Sequence, residues 1–281
     1  MGMLKFLTVF DDERNVVLDS GLMSLYKIAY LPAFYRYNNE SFLDSLNASS
    51  FCFFELDDNE ISSYGISSKV FQYVYELVSD RGYKMLIVVC PHGKLSPFYN
   101  EANVASKRFL RNAVNNNITD QMPVHVVDSK AFGIAPTLMA MKIADMYATS
   151  AMNEGLLKAF IKDFTKSSVT YLLTADKHSV GNSEELRAYR ITSNRIFPLN
   201  LNGGAESENI DLFVKIITKA IKKSKNRFAA SYGACCTFST NVLTILNKKY
   251  NCFPVTEAQF SIPSTKMIGI NSLCIHLGDY I

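Results

Sequence analysis

Ser96, Asp128 and His276 occur along the chain in the order in which α/β-hydrolases carry a nucleophile, an acid and a base. Acyl transfer requires a serine whose proton an imidazole can take, and a carboxylate that orients the imidazole. Ser96 stands where the apolar run Leu86–Cys90 ends and a helix begins, which is where a nucleophile would be displayed. Its surroundings, GKLSPFY, lack the G-x-S-x-G elbow, and Pro97 removes an amide that an oxyanion hole would use. The same junction supports a binding role, because ligands of open α/β sheets collect beyond the carboxyl ends of strands and helix-start amides favour anions. Each residue also has a purely structural reading. Ser96 can cap a helix, His276 can be a core histidine satisfied by one hydrogen bond, and Asp128 with Ser129 can hold a turn. His92 and His178 read as exposed loop histidines.

Composition narrows the chemistry. A formal charge of +3 over 281 residues is too small to imply a nucleic-acid partner. No apolar run reaches the ~20 residues of a membrane span, and MGMLKF lacks the apolar core of a signal peptide, so the expected location is cytoplasmic. The six cysteines, Cys52, Cys90, Cys235, Cys236, Cys252 and Cys274, show no C-x-x-C spacing and read as buried free thiols, with no metal site. Cys235 and Cys236 are neighbours in a strand-like run and face opposite ways. Neither G-x-G-x-x-G nor a P-loop supports nucleotide binding, and no cofactor is implied.

The elements that must position these residues follow from periodicity. Leu86–Cys90 is continuous, apolar and β-branched, as a strand covered on both faces requires. Pro91–Pro97 break it, and from Glu101 onward Ala102, Ala105, Phe109 and Val114 repeat at helical spacing. Leu4–Phe10 and Pro123–Asp128 read as further strands, with Asp11 and Asp12 ending the first. Phe71, Val74, Leu77 and Val78 mark a helix capped by Ser67 or Ser68, and Pro136 opens another. Val16–Tyr26 reads as helix, Ile28–Phe34 and Ser41–Leu43 as short extended pieces, and Ser49–Leu56 as strand or helix. Ser62 and Ser63 fall in a loop. Alternating strands and helices to about residue 165 predict a doubly wound parallel sheet.

Beyond that point, Val169–Leu173, Arg195–Leu201, Phe228–Tyr232, Thr256–Ile262 and Leu273–Leu277 read as strands. Helices are expected at Glu184–Tyr189, Asn209–Lys223 and Ser239–Lys249. The expected fold is α/β with two domains: residues 1–165 around a parallel sheet, and residues 166–281 around a mixed or antiparallel sheet with helices on one face. The basic stretch Lys219–Arg227 reads as the solvated end of a helix.

Together these segments resemble the DegV family of bacterial proteins. GYKMLIVVCPHGKLSPFYNEA is similar to that family's strand followed by S-S-x-L-S-G-T-Y-Q-S-A. VHVVDSKAFGIAP resembles its strand ending in D-S-K, IGINSLCIHLGDYI its last strand and H-x-G-P-G, and SYGIS its early T-S-Q-P-S. The resemblance covers the chain in order. It implies the DegV-like two-domain fold and a non-enzymatic function: binding a long-chain fatty acid in an apolar tunnel between the domains. The resemblance also implies presentation of its carboxylate to a separate fatty acid kinase subunit, and it allows peripheral membrane contact during lipid exchange. Carried over position by position, the head-group ligands are Ser63, Ser96 and His276. A carboxylate leaving water needs donors to replace its hydration, which two hydroxyls and an imidazole N–H would supply.

The chain departs from the family pattern at four places. Pro97 stands for a glycine. Phe98 stands for a threonine and is expected to narrow the polar end of the site. Val180, Gly181 and Asn182 stand for Gly-Gly-Arg, without the basic residue, and Gly278, Asp279 and Tyr280 stand for Gly-Pro-Gly, bringing a carboxylate near His276. The alternative function is an acyl-ester hydrolase using Ser96, Asp128 and His276.

Overall fold

The computed structural model describes residues 4–8, 28–31, 34–37, 40–43, 61–116, 118–149, 153–175, 186–201, 204–224, 227–233, 236–259 and 271–279. A four-stranded sheet carries the first half. Its strands are β1 (Leu4–Thr8), β2 (Ile28–Tyr30), β6 (Met85–Cys90) and β7 (Val124–Asp128), ordered β2-β1-β6-β7 and parallel throughout. Leu86 to Cys90 are each at most 1% exposed because helices cover both faces. On one face α1 (Ser68–Asp80) and α2 (Phe98–Asn115) pack Phe71, Tyr75, Ala102 and Phe109 against Leu86, Val88 and Cys90. On the other, α3 (Ala135–Thr149) and α4 (Glu154–Ser167) pack Met139, Ile143, Phe160 and Phe164 against Ile87, Val89 and Val127. The sheet is therefore doubly wound, and its strand order reverses between β1 and β6, the switch point at which such sheets take ligands.

A small antiparallel sheet holds β3 (Phe34–Tyr37), β4 (Glu40–Leu43) and β5 (Ile61–Gly65) in the order β4-β3-β5. The extended piece expected over Ile28–Phe34 is thus two strands in two sheets. Ser62 and Ser63, expected in a loop, lie in β5, where pairing with Arg36 and Tyr35 extends the backbone. Gly65 ends β5 at φ +67°, with the Phe98 ring where a Cβ would stand, 2.8 Å from Cε1. Phe98, expected to narrow the polar site, turns instead into the core beneath α1 and α2. Helix α2 starts at Phe98, three residues earlier than its apolar spacing indicates. The N-cap of α1 is Ser67, which makes no side-chain capping bond; the Glu101 carboxylate of α2 accepts from the Ser68 N–H at 2.7 Å instead.

The second half is built on a six-stranded sheet ordered β10-β9-β8-β13-β11-β12. Its strands are β8 (Val169–Ala175), β9 (Leu186–Thr192), β10 (Ile196–Leu199), β11 (Arg227–Tyr232), β12 (Phe253–Gln259) and β13 (Ser272–Leu277). Every pairing is antiparallel except β11 with β12. The helix expected at Glu184–Tyr189 is overturned where the structure describes it: Leu186 onward is β9. Leu186, Ala188 and Ile191 are buried while Arg187 and Arg190 are exposed, and seven register pairs with β8 override the helix propensity of Glu, Leu, Arg and Ala. Helices α5 (Glu206–Lys223) and α6 (Ser239–Tyr250) cover one face. Cys90, Cys236, Cys252 and Cys274 are buried. Asp11, Asp12, Val16–Tyr26, Ser49–Leu56, Cys52, His178, Val180–Asn182 and Cys235 lie outside the described residues.

The other face of the second sheet receives the first half. Phe132, from the turn after β7, is fully buried against Leu172, Ile191 and Cys274, with Leu95 and Tyr189 at its edge. Two residues on, Ile134 packs on Ala229 of β11. Replacing Phe132 by alanine removes the ring from a site with no neighbour free to fill it. The expected cost is about 3–5 kcal/mol of stability, read as a shift in denaturant midpoint.

Candidate functional site

Strand register decides what surrounds His276. On β13 it faces away from α5, and Thr170 on β8 lies directly opposite it, while Ala229 on β11 is its partner on the other side. Side chains two residues apart on a strand share a face, so Ser231 stands diagonally beside the ring. The Thr170 hydroxyl meets Nδ1 at 2.8 Å and the Ser231 hydroxyl meets Nε2 at 3.1 Å. All three residues are at most 1% exposed. Complete burial disfavours the imidazolium and pulls the His276 pKa down to about 3, so the ring is neutral near pH 7 and needs one hydroxyl to donate and the other to accept. Asp279, expected as a carboxylate near His276, is exposed.

Gly133 closes on this group from the first half. Its φ is +65°, and a Cβ there would stand 2.6 Å from His276 Nε2 and closer still to Ser231 Oγ. Only glycine allows the turn to lie flat against the imidazole. That turn is held from behind: the His92 N–H donates to the Ala131 carbonyl at 2.8 Å, the Ser129 N–H to the Cys90 carbonyl at 3.0 Å, and Ser129 Oγ to the Ala131 carbonyl at 3.2 Å.

Ser96 is buried in the neighbouring loop, between β6 and α2. Its Oγ lies 3.4 Å from the Phe98 N–H, a capping contact at the start of α2. The loop is tied to the second half by His92, which is fully buried and not the exposed loop histidine its glycine- and lysine-containing surroundings suggest. Its Nδ1 accepts from the Lys94 N–H at 3.1 Å, so Nε2 carries the hydrogen toward the Thr192 carbonyl at 3.3 Å. Burial holds its pKa below the ordinary value. Lys94 Nζ reaches the Asn194 carbonyl at 2.7 Å.

Asp128 is committed elsewhere. Its carboxylate accepts from the N–H groups of Gly93 and Lys130 and pairs with Lys130 Nζ at 2.5 Å. His276 and Asp128 share no hydrogen bond, and neither do His276 and Ser96, so Ser96, Asp128 and His276 are not assembled as a catalytic triad. Ser63 lies in β5 opposite Tyr35, in a different sheet from His276. Thr170, Ser231 and Gly133 are the site residues that sequence reasoning missed. The glycine had a visible signal, a small residue in the turn after D-S-K; the two hydroxyls had none outside the register that brings them to His276. On the opposite face of the sheet, Val169, Tyr171 and Leu277 line a surface cleft of about 340 Å³ with Arg190, Lys219 and Lys223, and strand alternation turns it away from His276.

A family model described as "Uncharacterised protein, DegV family" matches residues 16–176, more than half of the sequence. The chain belongs to the DegV family. The matched stretch includes Ser63, Ser96, Gly133 and Thr170. No curated protein sequence matches the chain. Among solved structures, a DegV lipid-binding protein from Thermotoga maritima is similar with a TM-score of 0.74 at 18% identity, over 98% of each chain. DegV from Bacillus subtilis, a fatty acid binding protein, gives 0.76 at 13% identity, over 99% of this chain and 100% of the other. The Streptococcus pneumoniae fatty acid kinase B3 protein, loaded with linoleic acid, gives 0.69 at 13% identity, over 98% and 99%. At these identities the likeness is one of fold, and it extends across both halves of this DegV-family chain.

His276 makes the stability of this DegV protein acid-sensitive. Its folded pKa lies below the ordinary 6.5, so its contribution is fully present above pH 6.5 and is lost as pH falls toward about 3. The expected slope is about 1.4 kcal/mol per pH unit within that window. Denaturation of the wild type and a His276→Gln variant at about pH 7, 5 and 4 checks it, with the variant showing the shallower decline.

Proposed function

We propose that this chain is a carrier that binds a long-chain fatty acid, holds its carboxylate with Ser63, Ser96 and His276, and carries out no chemistry of its own. The observation that carries the reading is the neutral, fully buried His276, flanked by two hydroxyls and covered by the Gly133 turn, at the junction of the two halves. A neutral imidazole among hydroxyls is a poor nucleophile-activating system without an orienting carboxylate, and in this reading it fixes the Thr170 and Ser231 hydroxyls, which turn to a desolvated carboxylate when one is bound. Ser96 lies in the loop beside that turn, beyond the carboxyl end of β6, which is the position from which parallel sheets present ligand groups. The ligands named for the solved relatives, lipid and fatty acid, agree with it.

The acyl chain would lie between a first domain of residues 1–165 and a second of residues 166–281. About fourteen methylenes at roughly 0.8 kcal/mol each give on the order of 11 kcal/mol before ordering costs, so burial of the tail supplies most of the affinity and the donors fix orientation. Phosphoryl transfer to the presented carboxylate belongs to a separate ATP-using subunit, the role implied by the fatty acid kinase system named for the pneumococcal relative.

The test is denaturing mass spectrometry of an organic extract of the purified protein, alongside a Ser96→Ala variant whose melting temperature is checked first. The expected result is one fatty acid per chain in the wild type, exchanging about tenfold faster in the variant, as for loss of one hydrogen bond to a charged group. An extract without lipid, together with failure to take up added oleate, overturns the carrier reading. Covalent labelling of Ser96 by a fluorophosphonate would put the hydrolase in its place.

A further inference from the structure

We propose that Thr137, in the first turn of α3, is a further head-group ligand, its hydroxyl receiving the carboxylate at that helix start, beside His276. The inference rests on the carrier reading and extends it to a residue outside the Ser63, Ser96 and His276 set. Thr137 is fully buried and its Oγ1 has no hydrogen-bond partner among the described residues. A buried hydroxyl left unpaired costs free energy that a valine of the same shape would avoid, so its presence calls for a ligand to satisfy it.

Its place in the fold says which ligand. The first amides of a helix have no intrahelical acceptor, and their dipoles give that end partial positive charge. In α3 the Leu138 N–H already donates to the Ile134 carbonyl at 3.2 Å and Pro136 has no N–H to offer. That start is directly against the His276 group. Gly133 touches the space beside His276 Nε2 and Ser231 Oγ, and Ile134 packs on Ala229, the register partner of His276. Helical Cα–Cβ bonds tilt toward the amino end, so the Thr137 side chain starts out toward the beginning of α3, where Gly133 lies. Ser96 follows β6 and α3 follows β7. These strands are neighbours in register from Leu86 with Val124 to Cys90 with Asp128, so both groups lie beyond the same edge of the sheet. The Thr137 hydroxyl at the positive end of α3, beside Ser231 and His276, offers a donor where the helix dipole favours an anionic, acceptor-only group such as a carboxylate.

The experiment uses delipidated full-length protein titrated with oleate and, separately, with methyl oleate, which keeps the tail but has no anionic oxygen. Thr137→Val is expected to weaken oleate binding by about tenfold or more while leaving methyl oleate unchanged, and Thr137→Ser is expected to restore oleate binding. The unliganded Thr137→Val protein should melt no lower than the wild type, because the orphaned hydroxyl is gone. Thr137→Ala provides a second hydroxyl-free variant should the valine disturb the turn. Oleate affinity unchanged in the hydroxyl-free variants overturns the proposal and leaves the carrier reading standing, as does an equal loss for oleate and methyl oleate, which would assign Thr137 to packing. Wild-type protein that binds neither probe overturns both.

Discussion

The molecule depends on one short turn being apolar at one residue and unobstructed at the next. Phe132 must fill the apolar gap on the second sheet, and Gly133 must bring bare backbone against His276. Neither requirement can be relaxed by moving the other, because consecutive residues share the same peptide geometry. The turn is fixed accordingly, with Lys130 held at φ 56° and backbone hydrogen bonds running to Cys90 and His92 on the adjacent strand and loop.

Electrostatics divides the junction into two zones. Asp128 and Lys130 neutralise each other at its partly exposed rim, where the lysine ammonium also lies 5.9 Å from the Tyr99 ring centroid. Further in, His276, Thr170 and Ser231 form an uncharged group whose hydrogen-bonding capacity is large but whose net charge is zero. In the carrier reading, an anion beside this group would meet hydroxyls and dipoles without a fixed counter-charge, which favours reversible retention over the very tight pairing that a buried cation would impose.

Sequence was informative where one local signal decided the structure. The run Leu86–Cys90 admits only a strand covered on both faces, and the strand-turn-helix punctuation after it placed Ser96 correctly at the junction. It was misleading where partners came from far away. Leu186–Tyr189 carries good helix formers, and only pairing with β8 makes it a strand. His92 looks exposed until Thr192, a hundred residues on, supplies its acceptor. Ser231 and Thr170 are single hydroxyls in apolar strands, and their meaning comes from the register with His276. Phe98 was misplaced because a side chain at the mouth of a helix can turn outward to a site or inward to a core, and Gly65 opens the inward path.

The position of β13 has a kinetic consequence. This strand follows β12 in sequence but inserts between β8 and β11, pairing Thr170 with His276 across more than a hundred residues. The β8–β13 pair closes a longer loop than the β6–β7 pair of the first sheet, and the entropic cost of closure rises with that length. The β6–β7 pair can therefore form while β13 is still searching. Until β13 docks, the apolar face that receives Phe132 is incomplete, leaving an interval in which the nascent molecule is sticky.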